Sequence, residues 1–272
     1  FKKGDRVFVS PKSPCLTCRY CLKEQYPICP NATRYTPGGL SEFILVPAPH
    51  VTRGVWTLPE TIPYDLATLI EPLACAVRAH RLAHTRPDDT VVIYGCGVSG
   101  LLHIGVARDK GVSKIIVIDP VENRLAAARQ MGATDTFLAA EDTPEKIRQA
   151  NDGRLADIVI LSTGAPAAVD QAFLSVDRGG AIVFFAIPAP DVSIVVPLNR
   201  YWTQEIRLLT SYYCGPNDID DAITLAQKTA LGLDTLITHR LSLDETSDGF
   251  RIVREGKSAL KVVIHTTPAP VS

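Results

Sequence analysis

A chain of 272 residues with 46% hydrophobic and 21% charged side chains can bury one large core or two ordinary ones. Its formal net charge of −1 offers no electrostatic footing for nucleic acid or an anionic membrane, and no apolar run approaches the ~18–20 residues of a membrane-spanning helix. Seven cysteines, an odd number with four clustered, fit a reducing compartment better than a disulfide framework, so a cytoplasmic protein is expected.

The chain opens at Phe1 directly in structured-looking sequence: Lys2-Lys3-Gly4-Asp5 reads as a turn and Arg6-Val7-Phe8-Val9 as a strand with no lead-in. The expectation is that sequence preceding Phe1 has been lost. Next come four cysteines spaced Cys15-x2-Cys18-x2-Cys21-x7-Cys29 among loop-like residues with no helical period that could bury the thiols. Four thiolates on short loops form a closed tetrahedral site suited to zinc, with no open position for chemistry. A [4Fe–4S] cluster is the rival, because ferredoxin runs share C-x2-C-x2-C and end Cys-Pro, as Cys29-Pro30 does here; the last spacing, x7 against x3, differs. Four reduced or paired cysteines are the remaining alternative. The rest of the first 60 residues is strand- and turn-rich and dense in proline.

Thr90 to Tyr94 is a β-branched, buried-type strand running into Gly95-Cys96-Gly97-Val98-Ser99-Gly100 and a helical stretch from Leu101. A second strand from Lys114 ends at Asp119, nineteen residues past Gly100. A lone GxGxxG is weak, but a strand, a helix and an acid at the next strand's end are the context a dinucleotide fingerprint requires. Gly95 permits the turn, Gly97 lets backbone approach a pyrophosphate, Gly100 lets the helix pack close, and Val98 opens the helix whose N-terminus attracts phosphate. Asp119 would accept from ribose hydroxyls and repel a 2′-phosphate, favouring NAD over NADP. Arg124, one helical turn on, is placed to lie near the adenine or to face solvent.

The alternation continues: helix 121–131, strand 134–138, helix 144–150, strand 156–161 ending in Ser162-Thr163-Gly164, helix 166–176, strand 181–185 and a sixth strand over 205–212. This predicts an α/β fold, a Rossmann doubly wound parallel sheet of order 3-2-1-4-5-6. Helix 218–229, strand 236–241, helix 244–255 and strand 260–264 follow, with a frayed tail from Thr266. The chain thus reads as a nucleotide domain inserted between two pieces of a β-rich domain.

The cysteine cluster, the glycine fingerprint and their order resemble the zinc-dependent medium-chain alcohol/polyol dehydrogenases over nearly the whole chain. Gly38-Gly39-Leu40-Ser41-Glu42-Phe43, Ser162-Thr163-Gly164 and Leu260-Lys261-Val262-Val263-Ile264 match in order, and Glu71-Pro72-Leu73-Ala74 is similar to the sorbitol/threonine dehydrogenase-like branch. The resemblance implies a remainder of a GroES-like, N-terminally truncated catalytic domain with the structural zinc lobe over 1–65, an NAD-binding domain over 66–215 carrying Thr163 and Gly164 at the cofactor, and a C-terminal return over 216–272. It implies structural zinc on Cys15, Cys18, Cys21 and Cys29, and Glu71 at a catalytic zinc as ligand or partner of its water. It further implies hydride transfer from a secondary alcohol or polyol to NAD, and a homodimer or homotetramer pairing strands over 206–212.

The family's Cys and Gly-His-Glu zinc ligands lie upstream of the position matching Phe1, and none of His50, His80, His84, His103, His239 or His265 follows Gly and precedes Glu. These 272 residues alone are therefore expected to be inactive. A non-enzymatic NAD sensor with a structural zinc, and a zinc-independent quinone reductase relative, are the other readings; the second usually lacks a four-cysteine lobe.

Overall fold

The computed structural model describes residues 1–34, 39–141, 143–256 and 259–266; Gly38 and most of the tail read as frayed, 267–272, lie outside the described residues. In chain order the elements are strands β1 (Val7–Val9), β2 (Lys12–Ser13) and β3 (Thr33–Arg34), helix α1 (Ala48–Gly54), strand β4 (Val55–Thr57), and helices α2 (Tyr64–Ala67) and α3 (Ile70–Ala83). The alternating stretch follows as β5 (Thr90–Tyr94), α4 (Val98–Asp109), β6 (Lys114–Asp119), α5 (Glu122–Gln130), β7 (Asp135–Leu138), α6 (Thr143–Ala150), β8 (Ala156–Leu161), α7 (Pro166–Ser175), β9 (Val176–Phe184), α8 (Leu198–Gln204) and β10 (Arg207–Thr210). The chain closes with α9 (Pro216–Ala226), β11 (Ile237–Ser242), α10 (Thr246–Glu255) and β12 (Lys261–His265). No helix among the described residues is long and apolar enough to cross a membrane.

Two compact units emerge, one from 1–74 with 213–272 and one from 75–212. The second holds a six-stranded parallel sheet ordered β10-β9-β8-β5-β6-β7, so the chain reverses direction across the sheet between β5 and β8, as the doubly wound pattern predicts. Its central strands are apolar on both faces: all of Thr90–Tyr94 and nearly all of β6 and β8 are buried, the mark of a parallel sheet covered by helices on each side. Val92, Ile116, Val159 and Ile182 sit at its centre, packed with Ile147 and Phe173 from the helices. Each such aliphatic side chain contributes about 1.5–3 kcal/mol by leaving water.

The first unit is built from short pairs, β1 with β4, β2 with β3 and β11 with β12. Its core is Ile62, Leu69, Ile70, Leu73, Ile219, Ala222 and Leu236, all essentially sealed from solvent. The two-residue antiparallel pairing of Lys12–Ser13 with Thr33–Arg34 closes the base of the cysteine loop. His50 braces that base, with Nε2 2.6 Å from the Ser10 carbonyl and Nδ1 3.3 Å from Thr33 Oγ1, which accounts for one of the histidines as a structural residue.

Candidate functional site

The four cysteines converge. Their sulfurs all lie within 4.8 Å of one another, with Cys18–Cys21 at 3.6 Å, Cys18–Cys29 at 3.8 Å and Cys15–Cys21 at 3.9 Å, and none is disulfide-bonded. Four sulfurs on one tetrahedral zinc, at ~2.3 Å each, stand about 3.8 Å apart, so the donor set fits a single ion. A [4Fe–4S] cluster binds each cysteine through a different iron and would spread the sulfurs wider. Two 3-10 turns, Cys21–Lys23 and Tyr26–Ile28, carry the second half of the loop. Backbone amides already point at the sulfurs: Cys18 donates to Cys15 Sγ at 3.3 Å and Cys15 to Cys29 Sγ at 3.4 Å.

Hydrogen bonds from Thr17, backbone first, pull the Cys15 thiol down to about 5, while burial pushes Cys21 up to about 12. Like charges this close oppose each other's ionisation, so four thiolates in this geometry call for a cation among them.

The glycine fingerprint forms the turn its residue types require. Gly95 has φ +89°, a left-handed conformation that side chains rarely adopt, and a Cβ there would stand 2.9 Å from Thr163 Cβ. A Cβ on Gly100 would strike the Gly95 carbonyl oxygen, so the third glycine lets α4 close onto the turn itself more than onto the strand. Around Gly97 there is open space, the condition for a ligand to reach the backbone where it caps α4 just before Val98.

Asp119 ends β6 and is 1% exposed, so it is not a solvated strand-end carboxylate. Oδ2 accepts the Cys96 amide at 2.7 Å and Oδ1 the Val121 amide at 2.9 Å, leaving each oxygen further acceptor capacity. The Arg124 guanidinium stands 3.8 Å from Oδ2. Burial, then the Asp119 charge, pushes the adjacent Cys96 thiol up to about 12, which keeps it a neutral packing group.

These residues border a cavity of about 660 Å3 at the carboxyl ends of the paired strands β5 and β8, where the strand order reverses, within the range of about 300–1,000 Å3 typical of cofactor pockets. Gly95, Gly97, Asp119, Arg124 and Thr163 line it; Val98, Gly100 and Gly164 do not. Gly164 instead lies beneath the Ile187 backbone, where a Cβ would not fit. Sequence reasoning passed over Tyr94, Glu141 and Gln171, which also line the cavity. The first could have been found from its place at the end of the strand beside the reversal point; nothing in their local sequence marks the other two.

Glu71 lies in the first turn of α3, half-buried, with a carboxylate oxygen within 4.8 Å of the buried Cys214 sulfur. The Lys261 amine, held below its ordinary value by burial, feels the Glu71 charge in the opposite sense. No spacing in the sequence links residues 71, 214 and 261; the fold alone brings them together.

Comparison with known proteins places this geometry. The alcohol dehydrogenase GroES-like domain matches residues 1–60 and the zinc-binding dehydrogenase family residues 97–228. An erythritol/L-threitol dehydrogenase of Mycolicibacterium smegmatis is 31% identical over 95% of this chain and 72% of its own length, and a sorbitol dehydrogenase of Bacillus subtilis 29% identical over 97% and 75%. Among solved structures, an oxidoreductase/dehydrogenase of unknown specificity involved in membrane biogenesis from Escherichia coli superposes with a TM-score of 0.87 at 30% identity, covering 97% of this chain and 76% of that one. A zinc-binding dehydrogenase from Sinorhizobium meliloti, solved with NADP, gives 0.86 at 26% identity over 97% and 77%. The chain belongs to the zinc-dependent medium-chain alcohol/polyol dehydrogenases.

Proposed function

We propose that the chain binds NAD in the cavity bordered by Gly95, Gly97, Asp119, Arg124 and Thr163, with Val98, Gly100 and Gly164 shaping its walls from behind. The reaction this serves is hydride transfer between a secondary alcohol or polyol and the nicotinamide. The observation that carries the reading is the buried Asp119 carboxylate at the end of β6, braced by two amides and facing the same cavity as the glycine turn. Its negative charge favours a ribose hydroxyl over a 2′-phosphate, although Arg124 beside it softens that preference. The chain's two outer pieces act as the catalytic domain, as the boundaries 1–65, 66–215 and 216–272 imply.

Cys15, Cys18, Cys21 and Cys29 hold a structural zinc, and Glu71 is the residue offered to a reacting zinc. Zinc at a reacting position supplies Lewis acidity to a substrate oxygen. The protein's own residues set that position's charge: Glu71 adds a carboxylate beside Cys214 and balances the half-buried Lys261. The sorbitol and erythritol/threitol relatives suggest a polyhydroxylated substrate, and a homodimer or homotetramer in the cytoplasm is the expected assembly.

No Gly-His-Glu motif occurs in these residues, so NAD binding without alcohol oxidation is expected of them alone. The test follows NADH formation from sorbitol, xylitol and erythritol by the 272 residues, and by a longer chain that contains them and adds a Cys and a Gly-His-Glu motif. NADH formed only by the longer chain supports the reading. Ordinary turnover by the 272 residues would move the reacting metal to their histidines, and failure of both to bind NAD would overturn the proposal.

A further inference from the structure

A second cavity, of about 310 Å3, opens at the opposite edge of the parallel sheet, where the strands begin. Three arginines line it from three separate segments: Arg86 from the loop between α3 and β5, Arg178 from the early part of β9, and Arg207 from the first position of β10. His84 adds an imidazole from the Arg86 loop, held in a left-handed turn with φ +57°. Gly179, with φ +72°, has open space where a Cβ would stand, so the wall beside Arg178 is left clear.

Two carboxylates, Asp89 and Asp157, share the lining with the three arginines, and the Asp89 charge acts on Arg86. Asp89 accepts the Arg86 backbone amide at 2.7 Å, and Asp157 accepts the Thr90 amide at 2.7 Å with Arg154 4.0 Å from the same oxygen. Among the described residues the Arg86 and Arg178 guanidinia have no hydrogen-bonded acceptor or ion-pair partner, and Arg207 donates one bond to the Ala83 carbonyl at 3.3 Å. Positive groups therefore outnumber negative ones around the cavity, and most of the guanidinium donors are unspent.

We propose that this edge binds a phosphoryl group, carried by a small metabolite, at a site separate from the dinucleotide cavity. A planar guanidinium fork matches a phosphate oxygen pair, and forks from different segments can surround a dianion on several sides. The cavity exceeds the needs of orthophosphate alone and leaves room for a skeleton of a few carbons, while it is too small for a dinucleotide. Neither the zinc nor the NAD assignment enters this inference.

The test is a phosphorus NMR titration of the 272-residue chain with inorganic phosphate in one arm and glycerol 3-phosphate in the other. Saturable line broadening is expected in both arms, with the ester the tighter; equal affinity would assign the site to the free ion and overturn the metabolite part. Arg86→Gln and Arg178→Gln should each weaken binding about 10–100-fold, the range for hydrogen bonds to charged groups. Arg178→Lys, which keeps the charge and loses the fork, should fall between wild type and Arg178→Gln and guards against misfolding of the glutamine variant. No saturable broadening, or broadening that survives the glutamine substitutions, would overturn the proposal.

Discussion

Gly97 and Gly100 look equivalent in the fingerprint, yet they answer different physical demands. A methyl group at position 100 collides with the Gly95 carbonyl, so Gly100→Ala should destabilise the 75–212 unit measurably in a thermal melt. A methyl group at position 97 meets nothing, so Gly97→Ala should melt like wild type and bind NAD more weakly. If the two variants melted alike, the packing assignment would fail. Asp119 combines both kinds of role. Asp119→Ala removes the acceptor of the Cys96 and Val121 amides, costing about 1–3 kcal/mol for each donor left buried and unmet, and should narrow the preference for NAD over NADP. At this scale the sequence announced residues whose type is dictated by backbone geometry or metal chemistry. It was silent on Glu141, Gln171 and Cys214, whose neighbours are distant in the chain.

Helices α3 and α4 meet through two histidines that no hydrophobic pattern singles out. His80 and His103 are fully buried, with rings 5.3 Å apart, and His103 stands edge-on to Phe185 at 4.4 Å. His80 Nδ1 pairs with Thr85 Oγ1 at 2.9 Å, while neither ring nitrogen of His103 has a hydrogen-bond partner among the described residues. Burial lowers His80 to about 3, and lowers His103 well below its usual value with His80 adding to the effect. Between about pH 3 and the ordinary value of about 6.5, the unfolded chain therefore binds protons that the folded chain refuses, and stability falls as pH falls through that window. The slope reaches about 1.4 kcal/mol per pH unit for each histidine. His103→Leu should flatten the profile of unfolding free energy against pH; an unchanged acid limb would show that other groups set it.

The cysteine loop carries the other prediction at this scale. Cys18→Ser, or a strong chelator, should disorder the loop while leaving the 75–212 unit's melting transition in place, because metal binding is folding energy for so small a lobe. Elemental analysis should find one zinc per chain and no iron.

The six strands and the sheet order were readable because β-branched runs alternate with helical stretches. Helices α1 and α8 were not foreseen: each follows a proline, which suits a helix start, but each is only seven residues long and carries too little periodicity to be told from a loop.

For the whole molecule, the change in sequence pattern puts the inserted unit at 66–215, whereas the contacts divide the chain at 74/75 and 212/213. Strand β10 is the edge of the six-stranded sheet, with Leu208 39% exposed. An open apolar edge invites pairing with a second copy, so light scattering should report a dimer or larger, and Leu208→Lys should shift it toward monomer. A wild-type monomer at micromolar concentration would contradict that assembly. The central claim, that the cavity at the end of β5 and β6 is an NAD site governed by Asp119, is tested most directly by calorimetric titration of the chain with NAD and with NADP. One NAD site per chain, tighter than NADP and with the gap narrowed in Asp119→Ala, is the expected result. Absence of NAD binding, or equal affinity for the two dinucleotides in the unmodified protein, would contradict it.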